Sequence, residues 1–121
     1  MSEQPGHTVL ETDAFRRAAE GVHTASEVSG VIDLLAATPE AGDEIPGTGG
    51  IRKVRVGAKG KGKRGVGRVI YFYYNAMMPI ALLTVFAKND AVDLTHEQKL
   101  KLKTVVDALI KAFITRKWAK K

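Results

Sequence analysis

Basic side chains at alternating positions are the residues of this sequence best suited to chemistry. Lys53 and Arg55 lie two apart in a stretch rich in strand-forming residues, so they share one face of a β-strand. Arg68 begins the next such stretch, and Lys88 follows the third. If the three strands pair in sequence order, the four side chains converge on one surface that can bind phosphate. Taken singly, each has a simpler explanation, because exposed strand positions often carry Lys or Arg that protects a sheet edge.

A basic loop connects the first two of these strands. The segment from Arg52 to Arg68 contains eight Lys or Arg and no Asp or Glu. Its centre, residues 58–65, is either a solvated hairpin connection or a cationic arm that contacts phosphates, and both interpretations stay open. Its letters also match glycine-rich nucleotide loops. Those loops need a following helix, whereas a strand follows here, so a nucleotide cradle is rejected.

The net charge of the chain hides a strong asymmetry. The 121 residues carry +6 overall. Residues 1–50 hold two basic and nine acidic residues, a formal charge of −7, whereas residues 51–121 hold 17 basic and four acidic residues, a charge of +13. An asymmetry of this size points to contact with nucleic acid or a membrane surface.

Length and composition favour one domain, 1–121, whose first six residues form a flexible tail. The chain has no cysteine, which rules out disulfides and thiolate chemistry, and its three histidines lack metal-ligand spacing, so neither a metal nor a cofactor is expected. The longest apolar run, residues 76–87, is shorter than the ~20 residues of a spanning helix. The N-terminus lacks the features of a signal peptide. We therefore expect a cytoplasmic protein that does not contact a membrane.

The elements that must position the basic side chains follow from hydrophobic periodicity and turn residues. The predicted order is β-α-α-β-β-β-α, an α+β domain in which helices pack against a small antiparallel sheet. Strands are predicted at 7–11, 51–56, 66–74 and 80–87, and helices at 14–21 and 26–37. A long last helix begins at a capping box formed by Thr95 and Gln98. The connector 43–50 is rich in Pro and Gly, so no regular structure is expected there.

Two of the helices have specific signals. Thr12 or Asp13 is expected to cap the first helix. The last helix is expected to bury an apolar face that consists of Leu102, Val105, Val106, Leu109, Ile110, Phe113 and Ile114.

Several segments occur in an order that is more specific than any one of them. They are Gly47-Thr-Gly-Gly-Ile-Arg-Lys-Val-Arg, Gly62-Lys-Arg-Gly, Gly67-Arg-Val-Ile-Tyr-Phe-Tyr, Val85-Phe-Ala-Lys-Asn-Asp and Asp93-Leu-Thr. Together they resemble the HigB branch of the RelE/ParE toxin superfamily, and the resemblance covers about residues 8–115. It implies a RelE-like fold.

The resemblance also implies a function. Such proteins are mRNA interferases of type II toxin–antitoxin systems, which enter the ribosomal A site, contact 16S rRNA and cut mRNA during translation. The implied cleavage is metal-independent. In it the ribose 2′-hydroxyl attacks the adjacent phosphate and leaves a 2′,3′-cyclic phosphate. The implied protein partner is a helix-turn-helix antitoxin of the HigA kind.

The resemblance assigns roles to individual residues. Lys53 and Arg55 match paired basic positions on the strand before the loop, Arg68 matches the arginine that opens the next strand, and Lys88 falls near a further catalytic basic position. Asn89 stands where the RelE pattern has an arginine. The residues assigned to RNA binding are Arg52, Lys59, Lys61, Lys63, Arg64, Tyr71 and Asn89.

The chemistry of RNA cleavage agrees with this set. Attack by the 2′-hydroxyl needs a base, an acid and cations that stabilise the extra phosphate charge. Arg55 and Arg68 can supply fixed charge, and Lys53 and Lys88 are the candidates for proton exchange, in either order. Tyr71 or Tyr73 can stack on a base, and core packing is expected for one of the two. Two other functions stay open, a ParE-like toxin that acts on gyrase and a non-enzymatic nucleic-acid-binding module.

Overall fold

The computed structural model describes residues 7–57, 66–86 and 94–119. Within these ranges the chain forms an α+β fold with three helices and a mixed sheet of five strands. The elements are β1 (Val9–Glu11), α1 (Asp13–Glu20), α2 (Ala25–Ala37), β2 (Asp43–Glu44), β3 (Ile51–Gly57), β4 (Val66–Phe72), β5 (Ile80–Phe86) and α3 (His96–Ala119). The sheet order is β1-β5-β4-β3-β2. The α+β prediction is confirmed, and the predicted tail 1–6 lies outside the described residues.

The three strands that were expected to pair in sequence order do so, and β3, β4 and β5 form an antiparallel meander. β3 and β4 pair antiparallel from Ile51 opposite Phe72 to Gly57 opposite Val66. β4 and β5 also pair antiparallel, with an irregularity between Ile70 and Tyr71. A strand follows the basic loop, as the rejection of a nucleotide cradle requires.

The first strand corrects the expectation of an antiparallel sheet. β1 pairs parallel with β5, with Val9 opposite Ile80 and Glu11 opposite Leu82, so the sheet is mixed. Parallel neighbours need a long connection. Here two helices and three strands, α1, α2, β2, β3 and β4, separate β1 from β5 in sequence. The local sequence of β1 determines that it is extended, whereas its direction depends on where the helices return the chain.

The connector at 43–50 gives a second correction, because it contains the short strand β2. Asp43 pairs with Lys53 and Glu44 pairs with Arg52. The glycines that argued against regular structure form the turn that makes this pairing possible. Gly47, Gly49 and Gly50 have φ of 77°, 72° and 123°, and Thr48 closes the turn by donating to the carbonyl of Ile45 at 2.6 Å. The turn folds the two acidic residues back onto the basic strand.

Alternation along the strands sends side chains into two separate cores. Val69 and Tyr71 of β4 pack with α1 and α2, in a cluster that includes Phe15 and Leu35. The other cluster, with α3, contains Ile51, Ile70, Phe72 and Val106 among its buried residues. Helices therefore cover both faces of the sheet.

Threonine side chains mark the helix starts. Thr12 accepts a hydrogen bond from the backbone of Phe15, so it is Thr12 that caps α1. Thr95 and Gln98 form both bonds of the predicted capping box of α3, at 2.8 and 3.1 Å. The predicted apolar face of α3 is too wide, because Val105 and Ile114 are 43% and 46% exposed. Within the described ranges, no helix combines the length and the apolar character needed to cross a membrane.

Candidate nucleic-acid interface

The sheet register brings three of the predicted basic residues to one face. Arg55 of β3 lies directly opposite Arg68 of β4, and Lys53 lies opposite Ile70 in the neighbouring row. Residues directly opposite in an antiparallel pair share a face, with Cβ atoms about 4.5–5.5 Å apart. Since Ile70 belongs to the cluster under α3, the three cations lie on that side of the sheet. We call Lys53, Arg55 and Arg68 the cationic triplet.

The cationic triplet lines an open groove. The groove has a volume of about 510 Å³, and its wall consists of Ala41, Gly42, Asp43, Lys53, Val54, Arg55 and Arg68. Its floor is the junction of β2, β3 and β4. Lys53 and Arg68 are half-buried and Arg55 is exposed, so the charged groups can meet a ligand from solvent while their stems pack on the sheet.

The electrostatics of the groove favour an anionic ligand. Neither Arg55 nor Arg68 has an ion-pair partner in the part of the chain that the structure describes. Two arginines directly opposite each other repel, which makes their pairing unfavourable for the fold alone. Two forked guanidinium groups side by side match the oxygens of a phosphate.

Protection of a sheet edge does not explain Arg68. Edge strands carry cations because their backbone groups are open to pairing with other chains. β4 is the central strand of the five and has β3 on one side and β5 on the other. Edge protection can therefore explain basic residues of β3 at most. For Arg68 a ligand-binding role is the better interpretation.

Arg52, which the sequence assigns to RNA binding, lies on the opposite face of the sheet. Its Nη1 donates to the carbonyl oxygen of Gly42 at 2.6 Å, and a longer contact of 3.5 Å reaches the carbonyl of Glu40. Alternation along β3 separates Arg52 from Lys53 and Arg55. The guanidinium is thus engaged in tying the connector before β2 to the sheet, and it does not join the groove.

Tyr71 corrects the predicted stacking role, because its side chain is completely buried. The hydroxyl donates to the carbonyl of Pro39 at 2.8 Å and accepts from the backbone N–H of Gly42 at 2.9 Å. Burial raises the pKa of Tyr71, and the hydrogen bond from Gly42 and the nearby Arg52 charge partly offset that rise. Tyr71 therefore holds the connector in place and cannot stack on a base.

The remaining predicted site residues lie outside the described residues. They are the loop residues Lys59, Lys61, Lys63 and Arg64, and the pair Lys88 and Asn89. The strand ends nearest to them are described: β3 ends at Gly57, β4 begins at Val66 and β5 ends at Phe86, which is opposite Arg68.

Sequence reasoning missed Asp43. Its segment was interpreted only as a turn-rich connector, whereas β2 places Asp43 opposite Lys53 and in the wall of the groove. A signal was present, because two acidic residues precede a Pro-Gly turn and a basic strand, which is the charge pattern of an antiparallel pair. Gly42 is also required locally, since an added Cβ would lie 2.5 Å from the carbonyl oxygen of Lys53.

A second groove, of about 720 Å³, runs between α1 and α2, and His23 and Val28 are among its lining residues. His23 is buried, with Nδ1 3.5 Å from the carboxylate of Glu27. Among the described lining residues of this groove, Arg16 pairs with Asp13, so the groove offers no counterpart of Arg55 and Arg68.

Neither a metal cluster nor a family model identifies the chemistry of the described residues. Across residues 7–57, 66–86 and 94–119, no group of three His, Cys, Asp or Glu side chains is arranged to hold a metal ion. No family model matches the chain.

Proposed function

We propose that this protein is a ribosome-dependent mRNA endoribonuclease, a toxin of a type II toxin–antitoxin system that acts in the cytoplasm and inhibits translation. The observation that carries the proposal is the cationic triplet, three basic side chains on one sheet face around an open groove. The ordered sequence segments that resemble HigB toxins support the same function, and they include all three residues.

The proposed reaction is cleavage of RNA by its own 2′-hydroxyl. The oxygen of that hydroxyl attacks the adjacent phosphorus, the bond to the 5′-oxygen breaks, and a 2′,3′-cyclic phosphate and a 5′-hydroxyl remain. The phosphate gains negative charge as the attack proceeds, and in this proposal Arg55 and Arg68 stabilise that charge with forked hydrogen bonds. Lys53 is within the same groove and can exchange a proton with a substrate oxygen.

The proposed partners follow from the same surface. An mRNA in the A site and the 16S rRNA around it are polyanions, and residues 51–121 carry a formal charge of +13. A HigA-like helix-turn-helix antitoxin is the proposed inhibitor. We expect its gene to lie beside the gene for this protein.

The experiment that tests the proposal is cell-free translation with the purified protein, followed by mapping of mRNA 5′ ends by primer extension. We expect cleavage of mRNA on translating ribosomes and none on the same mRNA without ribosomes. Arg17→Ala is a matched control, because Arg17 is an exposed cation on α1, which packs against the opposite face of the sheet. Intact mRNA on translating ribosomes would contradict the proposal.

Two further measurements separate the other functions. Inhibition of gyrase supercoiling without mRNA cleavage would indicate a ParE-like toxin. RNA binding without cleavage, with an affinity that falls ~10³–10⁵-fold between 50 and 200 mM salt, would indicate a nucleic-acid-binding module that makes six to ten phosphate contacts.

A further inference from the structure

We infer that Asp43 is the general base of the proposed cleavage and takes the proton from the attacking 2′-hydroxyl. This inference rests on the proposed function and assigns a catalytic residue to the same groove. It starts from an anomaly: among the lining side chains that the structure describes, a groove suited to anions has one carboxylate. A negative charge there weakens the binding of phosphate, so its presence calls for a chemical reason.

The position of Asp43 is enforced by the fold. Hydrogen bonds fix the connector just before Asp43. Tyr71 bonds to the carbonyl of Pro39 and to the N–H of Gly42, and Arg52 donates to the carbonyl of Gly42. Gly42 lies so close to β3 that a Cβ would meet the carbonyl oxygen of Lys53. Two hydrogen bonds from the opposite face of the sheet therefore hold Gly42, the residue that precedes Asp43, and a third holds Pro39.

The strand pairing then directs the side chain into the groove. Asp43 lies directly opposite Lys53, so the two side chains share the face that carries Arg55 and Arg68. The next residue, Glu44, is opposite Arg52 and lies on the other face. Rows of residues on one face are about 7 Å apart along a strand, so a phosphate held by the two arginines lies beside the Asp43–Lys53 row.

Asp43 and Lys53 together account for both proton transfers of the cleavage. Asp43 accepts the 2′-hydroxyl proton as the bond between the 2′-oxygen and phosphorus forms. The bond between phosphorus and the 5′-oxygen breaks, and the ammonium group of Lys53 donates a proton to that departing oxygen. The two residues return to their starting protonation states by exchange with water, and no co-reactant is needed.

A purely electrostatic role is the alternative, in which Asp43 only holds Lys53 in place. The two roles differ in their response to the leaving group. An mRNA with sulfur in place of the scissile 5′-oxygen releases a thiolate, which departs without a proton donor. On this substrate the cleavage rate no longer depends on the proton donor, so a variant that lacks the acid Lys53, or its support by Asp43, recovers. A variant that lacks the base does not recover, because the 2′-hydroxyl still has to lose its proton.

The test is single-turnover cleavage on ribosomes programmed with the normal and the sulfur-substituted mRNA. We expect Asp43→Asn to cleave the normal mRNA ~10²–10⁴-fold more slowly, to bind it at least as tightly as the unchanged protein, and to stay slow on the sulfur substrate. Lys53→Ala should recover on the sulfur substrate. Asp43→Glu should retain part of the rate, because it keeps a carboxylate.

The matched control is Glu44→Gln, which removes the same charge from the adjacent exposed position on the other face, and we expect it to cleave at the normal rate. If the unchanged protein does not cleave, the proposed function itself is wrong. If it cleaves and Asp43→Asn cleaves equally fast, or recovers on the sulfur substrate, only the role of Asp43 as the base is overturned.

Discussion

The two faces of β3 and β4 carry polar side chains with opposite surroundings. On the face toward α1 and α2, Arg52 and Tyr71 are bonded to the connector backbone at distances of 2.6 to 2.9 Å. On the face toward α3, Arg55 and Arg68 lie directly opposite each other and have no ion-pair partner among the described side chains. Neighbouring residues of one strand therefore have different roles. Arg52 and Tyr71 form a clamp, by which we mean the hydrogen bonds that fix the connector, and Arg55 and Arg68 form an open cationic surface.

The difference shows which polar residues serve the fold and which weaken it. A buried polar group is stable only when its hydrogen bonds are made, and Tyr71 meets that condition. Adjacent like charges cost stability and are retained when they serve binding or catalysis. The first face holds the groove wall in place, and the second face presents the charge.

The largest effect is expected from removing a charge on the open face. Arg68→Ala should lower the rate of mRNA cleavage on ribosomes ~10²–10³-fold, because a positioned donor to the developing phosphate charge is lost. Single-turnover primer extension measures the rate. Arg17→Ala, which also removes one exposed arginine but on α1 at the other face, should cleave normally. Equal losses in both variants would contradict a special role for the groove.

A smaller effect, on stability, is expected from the clamp. Tyr71→Phe should lower the free energy of unfolding by about 1–3 kcal/mol, because Gly42 N–H and Pro39 C=O lose their buried partner. Urea denaturation followed by circular dichroism measures this. Tyr74→Phe removes a hydroxyl from a side chain that is 54% exposed, and its effect should be much smaller.

The two arginines of β3 should respond in opposite directions. Arg55→Thr should raise the free energy of unfolding by ~0.2–1 kcal/mol, because it removes a like-charge pair and introduces a strand-forming residue. The gain should shrink at high salt, where the repulsion is screened. Arg52→Thr should destabilise, because it removes the bond to Gly42. Destabilisation of similar size in both variants would mean that the faces do not differ as described.

The smallest effect is expected at alkaline pH. Burial raises the pKa of Tyr71 above its ordinary value of 10.0, so above that pH the unfolded chain releases this proton more readily than the folded chain. The folded state then binds more protons, and its stability falls as the pH rises from about 10. The fall should be shallower in Tyr71→Phe, and identical pH profiles of the unfolding free energy would contradict the assigned burial.

The sequence predicts the local features well. Alternation correctly groups Lys53 with Arg55, because the period of a strand is a property of its own backbone. The capping box at Thr95 and Gln98 is likewise a contact within four residues. The assignment of Tyr71 to RNA binding is wrong because the hydrogen bonds of its buried hydroxyl go to Pro39 and Gly42, which are 32 and 29 residues away. Asp43 was missed because its role appears only when β2 pairs with β3.

The sequence by itself determined the charge asymmetry, the type of each main element and the residues that share a face. The tertiary structure decided the rest: the parallel direction of β1, the central place of Arg68, the burial of Tyr71 and the entry of Asp43 into the groove. The physical reason is one of range. Strand period and helix capping are set by neighbours along the chain, whereas register, coverage of a face and electrostatic pairing depend on contacts that form only when distant segments pack together.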